Sequence, residues 1–266
     1  MPGLEAVLRR EVTRTRPELR IGAAARPGLV TFESSKAVAP DDAAGSVFAR
    51  VWGRSIGAAS DFKSAAAQLA GVGVSRVHVF ARDPDAPTNL APWRALGPGG
   101  AAQVGELVAD VVVADGEPVW LGVHRHDATR PAHAGGTFGI PSSKIDEAII
   151  WAQLPDARRA LAIGLGFARA GIEVVTVEKF SAAKGDLPFD WIVVDINLAP
   201  QTALQELGRV LRRIKPAAVV LMLKVNDWSF ADELPRIVEQ LRKLGFSDVR
   251  MRHLPSNKSD ICCVAR

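Results

Sequence analysis

Residues 217–224 read AAVVLMLK, a strand-length apolar run that stops abruptly at a lysine. Three more runs of this character precede it: ALAIG at 160–164, IEVVTVE at 172–178 and WIVVD at 191–195. Helical stretches such as Thr202 to Arg213 and Asp232 to Leu244 lie among and after them. Strands that are apolar throughout are buried on both faces, and their alternation with helices predicts a parallel sheet covered on both sides. The end of the chain breaks that rhythm. FSDVRMRHLPSNKSDICCVAR, Phe246 to Arg266, reads as two strands joined by a polar loop, an antiparallel hairpin that closes the sheet. The fold class is α/β.

Upstream the pattern is different. Leu4 to Val12 reads as a helix, Gly28 to Glu33 (GLVTFE) as a strand, Ser46 to Trp52 as a short apolar element and Phe62 to Leu69 as a helix. SRVHVFAR, Ser75 to Arg82, alternates like a half-buried strand. A Pro/Gly-rich span, Asp83 to Gly100, leads into ELVADVVVADGEPVWLGVHR, where Asp115-Gly116 between two apolar runs predicts a β-hairpin. Asp127 to Gly136, rich in Ala, Pro and Gly, reads as a linker. The expected division is an α+β portion over residues 1–130 and an α/β domain over 137–266.

Composition narrows the function classes. At 266 residues the chain can bury a sizeable core, and no apolar run approaches the ~18 residues a membrane span needs. The start, PGLEAVLRREV, is amphipathic and charged, unlike a signal or transit peptide. Cys262 and Cys263 are adjacent in a strand and so point to opposite faces, which disfavours a disulfide and fits a reducing cytoplasm. The net charge of +4 and pI near 9.3 permit nucleic-acid binding without requiring it.

Four polar residues sit at the ends of core elements. Lys144 opens a helical stretch in GIPSSKIDEAI, Asp195 closes WIVVD, Lys224 closes AAVVLMLK and Asp260 opens DICCVA. Ligands of doubly wound sheets gather at the carboxyl ends of the strands. Asp195 and Lys224 fall there, and a final antiparallel strand begins at that same edge. The four positions therefore converge on one rim, where two lysines and two carboxylates suit proton-moving chemistry.

In that order, with VVDINLAP around the first acid and MLKV around the second lysine, these residues resemble the K-D-K-E tetrad of FtsJ-type ribose 2′-O-methyltransferases. The bacterial large-subunit ribosomal RNA cytidine 2′-O-methyltransferase M family is the most similar, because PGLEAVLRREV, SVFARVWG and GIPSSKIDEA also match its pattern. The resemblance implies a Rossmann-like, S-adenosylmethionine-dependent domain preceded by a smaller THUMP-like RNA-binding portion, acting on ribosomal RNA in the cytoplasm. It makes Lys224 the base or hydroxyl-orienting residue and Asp195 its partner beside the methyl donor. Lys144 and Asp260 would hold the ribose and the network. Gly164, Gly166, Glu178 and Asp195 would contact the cofactor, with Glu178 gripping its ribose hydroxyls.

Two departures stand out. The last acid is Asp where the family has Glu. ALAIGLGFARAGIEVVTVE keeps Gly164 and Gly166 but lacks the preceding Asp and the PGG of the family's DLGAAPGG-like loop. The interval from Gly164 to Glu178 is also short for a βαβ crossover. A degenerate methyltransferase that binds RNA without catalysis is therefore the alternative. A nicotinamide or flavin enzyme would use the same GLG and acid but leaves the four polar residues unexplained. Elsewhere, His124 to His126 (HRH), with His133 nearby, reads as a polar strand end that touches RNA rather than a metal site. Arg-rich LRREVTRTRPELR reads as a solvated helix face, and Trp93 is the best exposed candidate for base stacking, with a role in the core as the equal alternative.

Overall fold

The computed structural model describes residues 3–40, 42, 45–49, 51–83, 86–126, 144–164, 171–176, 188–225, 228–254 and 260–266. Within these, the side chains of Ala24, Ala25, Lys144, Asp146, Glu147 and Ile150 are not described. The expected linker, Asp127 to Gly136, lies outside the described residues. The chain divides into two compact units, Met1–Pro141 and Ser142–Arg266.

The first unit begins with helix α1 (Glu5–Thr15), then an antiparallel hairpin of β1 (Leu19–Arg26) and β2 (Leu29–Ser34). A separate four-stranded sheet follows, built from β3 (Arg54–Ala59), β4 (Arg76–Ala81), β5 (Leu107–Val113) and β6 (Val119–Arg125) in the order β3-β6-β5-β4. Helix α2 (Phe62–Ala70) connects β3 to β4, and its N-cap Asp61 accepts a 2.8 Å hydrogen bond from the Ser64 amide. Ala65 and Leu69 of α2 pack with Val77, Val79, Ala109, Val111 and Leu121 on one face of this sheet. The Asp115-Gly116 hairpin forms as expected, antiparallel between β5 and β6, with Gly116 at φ 74°.

Several N-terminal elements differ from the sequence reading. Ser46 to Trp52 forms no helix or strand among its described residues. Ser46 Oγ accepts from the amides of Phe48 and Ala49, at 3.0 and 3.1 Å, and so competes with regular structure. Strands β1 and β3, LRIGAAAR and RSIGAA, carry little β propensity, and only pairing to a neighbour makes them strands. The Pro/Gly-rich span contains a 3-10 turn, Ala91–Leu96. Strand β4 is not half-buried: Val77, His78 and Val79 are all buried.

The second unit is a six-stranded sheet of β7 (Arg159–Gly164), β8 (Glu173–Thr176), β9 (Trp191–Asp195), β10 (Ala218–Lys224), β11 (Val249–Arg252) and β12 (Asp260–Ala265). Its order is β11-β12-β10-β9-β7-β8. Strands β8, β7, β9 and β10 are parallel, and β12 runs antiparallel between β10 and β11. This is the expected Rossmann-like sheet with its closing hairpin. One face packs on helix α3 (Lys144–Ala152), whose Ile145, Ala148 and Ile149 join Ala162, Val193, Val220, Met222 and Cys262. Val219, Leu221 and Leu223 are buried on the opposite face. Helix α4 (Pro200–Leu211), which contacts β10, buries Ala203, Leu204, Leu207 and Val210; helix α5 (Leu234–Lys243), which contacts β11, buries Leu234, Ile237 and Leu241. Recurrence at i, i+1, i+4, i+7 in the first of these helices and i, i+3, i+7 in the second supplies an apolar stripe, each buried Leu contributing about 1.5–3 kcal/mol.

Candidate active site

From β7 the chain steps outward to β8 and then returns to place β9 on the other side of β7. The order reverses there, so the carboxyl ends of β7 and β9 form a topological switch point, where open α/β sheets bind ligands. Gly164 and Asp195 end those strands and face each other in register. Gly164 has φ +99°, and a Cβ there would lie 2.3 Å from the Asp195 carbonyl oxygen and 2.2 Å from Ile196. Only glycine fits this strand end.

Lys224 and Asp260 meet one rung further out. They are register partners across β10 and β12, and Lys224 Nζ lies 3.1 Å from Asp260 Oδ1. The Asp260 side chain is 4% exposed and that of Lys224 32%, so the carboxylate is sunk in the sheet while the ammonium reaches solvent. The shorter acid at this position spans the gap. Val194 pairs with Leu221, which places Asp195 level with Met222 and Lys224 two residues beyond. Strand alternation then puts Gly164, Asp195, Lys224 and Asp260 on one face, the face carrying Ala162, Val193 and Met222.

Helix α3 covers that same face. Its last residue, Ala152, accepts a 2.8 Å hydrogen bond from the Arg250 guanidinium, near the amino edge of the sheet. Arg250 also lies over the Trp151 ring, 6.0 Å from its centre. The helix therefore runs against the parallel strands, and Lys144, its first residue, lies towards their carboxyl edge. The Lys144 side chain is not described, and Gly166 and Glu178 lie outside the described residues. Strands β7 and β8 are parallel neighbours although only residues 165–172 join them, fewer than the dozen or so of an ordinary crossover.

In the first unit, the reading of one candidate changes and that of another is decided. His124 and His126 are not a solvated strand end: they are 4% and 5% exposed. Trp93 is partly buried against the α2 face, with its ring 6.5 Å from that of Phe62, and serves as core. In the Arg-rich segment, Arg16 is tied to Glu18 and to Asp42, the latter at 3.3 Å. The sequence reading also passed over Asp110, an acid buried in the middle of β5; its signal was a carboxylate inside the apolar run ELVADVVV. No group of three or more His, Cys, Asp or Glu among the described residues could hold a metal ion. No described helix is long and apolar enough to cross a membrane.

No protein-family model and no curated protein matches this chain. Several solved structures overlap it loosely, three of them as follows. The S-adenosylmethionine-dependent methyltransferase SibL is 14% identical over 46% of this chain, with a TM-score of 0.29, and the overlap spans 57% of SibL. A release-factor-specific protein-(glutamine-N5) methyltransferase from Alicyclobacillus acidocaldarius is 22% identical over 48% of this chain and 94% of its own, with a TM-score of 0.30. A predicted N6-adenine-specific DNA methylase from Listeria monocytogenes is 12% identical over 98% of this chain and 93% of its own, with a TM-score of 0.32. At such scores no argument about chemistry rests on them.

Proposed function

We propose that this protein is an S-adenosylmethionine-dependent methyltransferase that modifies the 2′-hydroxyl of a ribose in large-subunit ribosomal RNA. One observation carries the reading: a buried Asp260 holds the Lys224 ammonium at 3.1 Å on the face and edge where Asp195 and Gly164 meet at the switch point. Asp195 fits the methyl donor as a carboxylate at the carboxyl end of β9, paired with the Gly164 strand end at the switch point where such sheets bind ligands. When bound, S-adenosylmethionine supplies an electrophilic methyl group on a sulfonium.

The protein's own residues would then position the hydroxyl. An ammonium already paired with a carboxylate donates hydrogen bonds, so Lys224 orients the ribose oxygen and Asp260 fixes the direction of Lys224. Lys144, at the start of α3 near the same edge, completes the tetrad. The N-terminal unit would hold the RNA in a THUMP-like manner. Cys262 and Cys263, buried and adjacent in one strand, fit a reducing compartment, the cytoplasm in this reading.

The test is Lys224→Ala with a ribosomal RNA fragment. Methyl transfer should fall by about two orders of magnitude or more, the size expected for a positioning group at the reacting oxygen, while RNA binding persists. Undiminished transfer would sink the assignment. The short join between β7 and β8 favours one second reading, a methyltransferase-like protein that binds RNA without catalysis. Calorimetry with S-adenosylmethionine separates the two, since micromolar binding rules the second out.

A further inference from the structure

The N-terminal unit has a pocket of about 520 Å³ lined by residues of α1, the β1–β2 hairpin and the four-stranded sheet. Close-packed interiors do not leave voids of that size, whereas small-molecule pockets range over roughly 300–1,000 Å³. Five aromatic side chains line it: Phe32, Phe48, Trp52, Phe80 and Trp120. Asp110 lines it as well, from the middle of β5. Ala109 and Val111 face α2, so by alternation Asp110 stands with Val112 on the cavity side of the sheet.

Asp110 is 4% exposed, and its two oxygens differ. Oδ2 lies 2.7 Å from His124 Nδ1, whereas Oδ1 has no hydrogen-bond partner among the described residues. Two of the arginines that line the pocket, Arg82 and Arg16, are committed elsewhere. Arg82 is engaged by Glu117 at 2.6 and 2.8 Å, and Arg16 by Glu18 and Asp42. His78, the partner of Asp110 on β4, points its Nε2 to the Gly100 carbonyl at 3.2 Å, and burial holds its pKa below the ordinary value. The partner of Asp110 on β6 is Gly122, which puts no side chain beside the carboxylate. A Cβ at Gly122 would meet only the Arg54 carbonyl oxygen, at 3.6 Å, so a side chain would fit there. A buried carboxylate oxygen without a donor, beside an open position in an aromatic-walled cavity, calls for a ligand donor.

We propose that this cavity is a binding site for a small, largely apolar heteroaromatic molecule whose ring N–H donates to Asp110. The aromatic walls accept a flat ring, and one charge-assisted hydrogen bond sets its orientation. A volume of about 520 Å³ falls in the range of small-molecule sites, so the ligand is a free small molecule. The site is independent of the methyl-transfer reading and shares no residue with it.

The full-length protein is titrated calorimetrically with indole and with benzofuran, which has the same shape but no N–H. Indole should bind saturably below about 1 mM, and about tenfold more tightly than benzofuran, the value of one charge-assisted hydrogen bond. In Asp110→Asn the amide oxygen faces His124 and its NH2 group faces the cavity, so donor meets donor. Indole should then drop to the affinity of benzofuran, while benzofuran is unchanged. Gly122→Ala should weaken both probes together, and it decides the matter if Asp110→Asn does not fold. Absence of saturable indole binding, equal affinity of the wild type for both probes, or unchanged indole binding in both variants would overturn the proposal.

Discussion

Gly164 illustrates how much one residue decides at the switch point. Its φ of +99° and the 2.3 Å gap to the Asp195 carbonyl leave no room for a methyl group. Gly164→Ala should therefore cost roughly 2–4 kcal/mol, combining left-handed strain with displacement of β9. Urea unfolding followed by far-UV circular dichroism measures it, and a loss under about 0.5 kcal/mol contradicts the crowding. The glycine itself was legible in ALAIG as a strand end. The reason for it was not, because Asp195 lies far along the chain and only pairing brings its carbonyl against Gly164. Lys224 and Asp260 were more legible, since a charge that terminates an apolar run announces itself. Their 3.1 Å contact still depends on an antiparallel register that no spacing rule supplies.

At the scale of elements, β4 and β5 are the instructive strands. SRVHVFAR alternates like a half-buried strand and ELVADVVV reads as an apolar run, yet Val77, His78 and Val79 of β4 are buried in a row, and so is Asp110 within β5. His78 is thereby buried, and desolvation is the largest influence lowering its pKa, opposed by the nearby Asp110 carboxylate. The sign of the effect on stability follows. The unfolded chain takes up a proton near pH 6.5 that the folded state resists, so the contribution is full above that pH and is lost as the pH falls through it. The loss is bounded at about 1.4 kcal/mol by pH 5.5. Thermal unfolding of the wild type and His78→Gln between pH 7 and 5.5 should show the wild type losing more. Parallel slopes would remove His78 as the cause.

At the scale of the whole molecule, a two-stranded and a four-stranded sheet lie in the first unit and a six-stranded sheet in the second. The second can be followed separately through its thiols. Cys262 and Cys263 are both fully buried in β12, and burial pushes the Cys263 thiol well above its ordinary pKa. Thiolate is the reactive form, so an aromatic disulfide reagent should label native protein about a hundredfold or more slowly than unfolded protein. Labelling should appear together with loss of the C-terminal sheet as denaturant rises. Rapid reaction of either thiol in native protein would place β12 at a surface.

The sequence by itself determined the alternation of apolar strands and helices, the closing hairpin, the Asp115-Gly116 turn and the charges that end β9 and β10. These are local signals, written in hydrophobic period and turn chemistry. Only the tertiary structure decided that Ala- and Gly-rich β1 and β3 are strands, because partner strands satisfy a backbone whose side chains have little preference. It also decided that His124 and His126 are interior and that Asp110 sits beside an aromatic cavity. Burial is set by what packs on each face, and residues distant in the chain supply that packing.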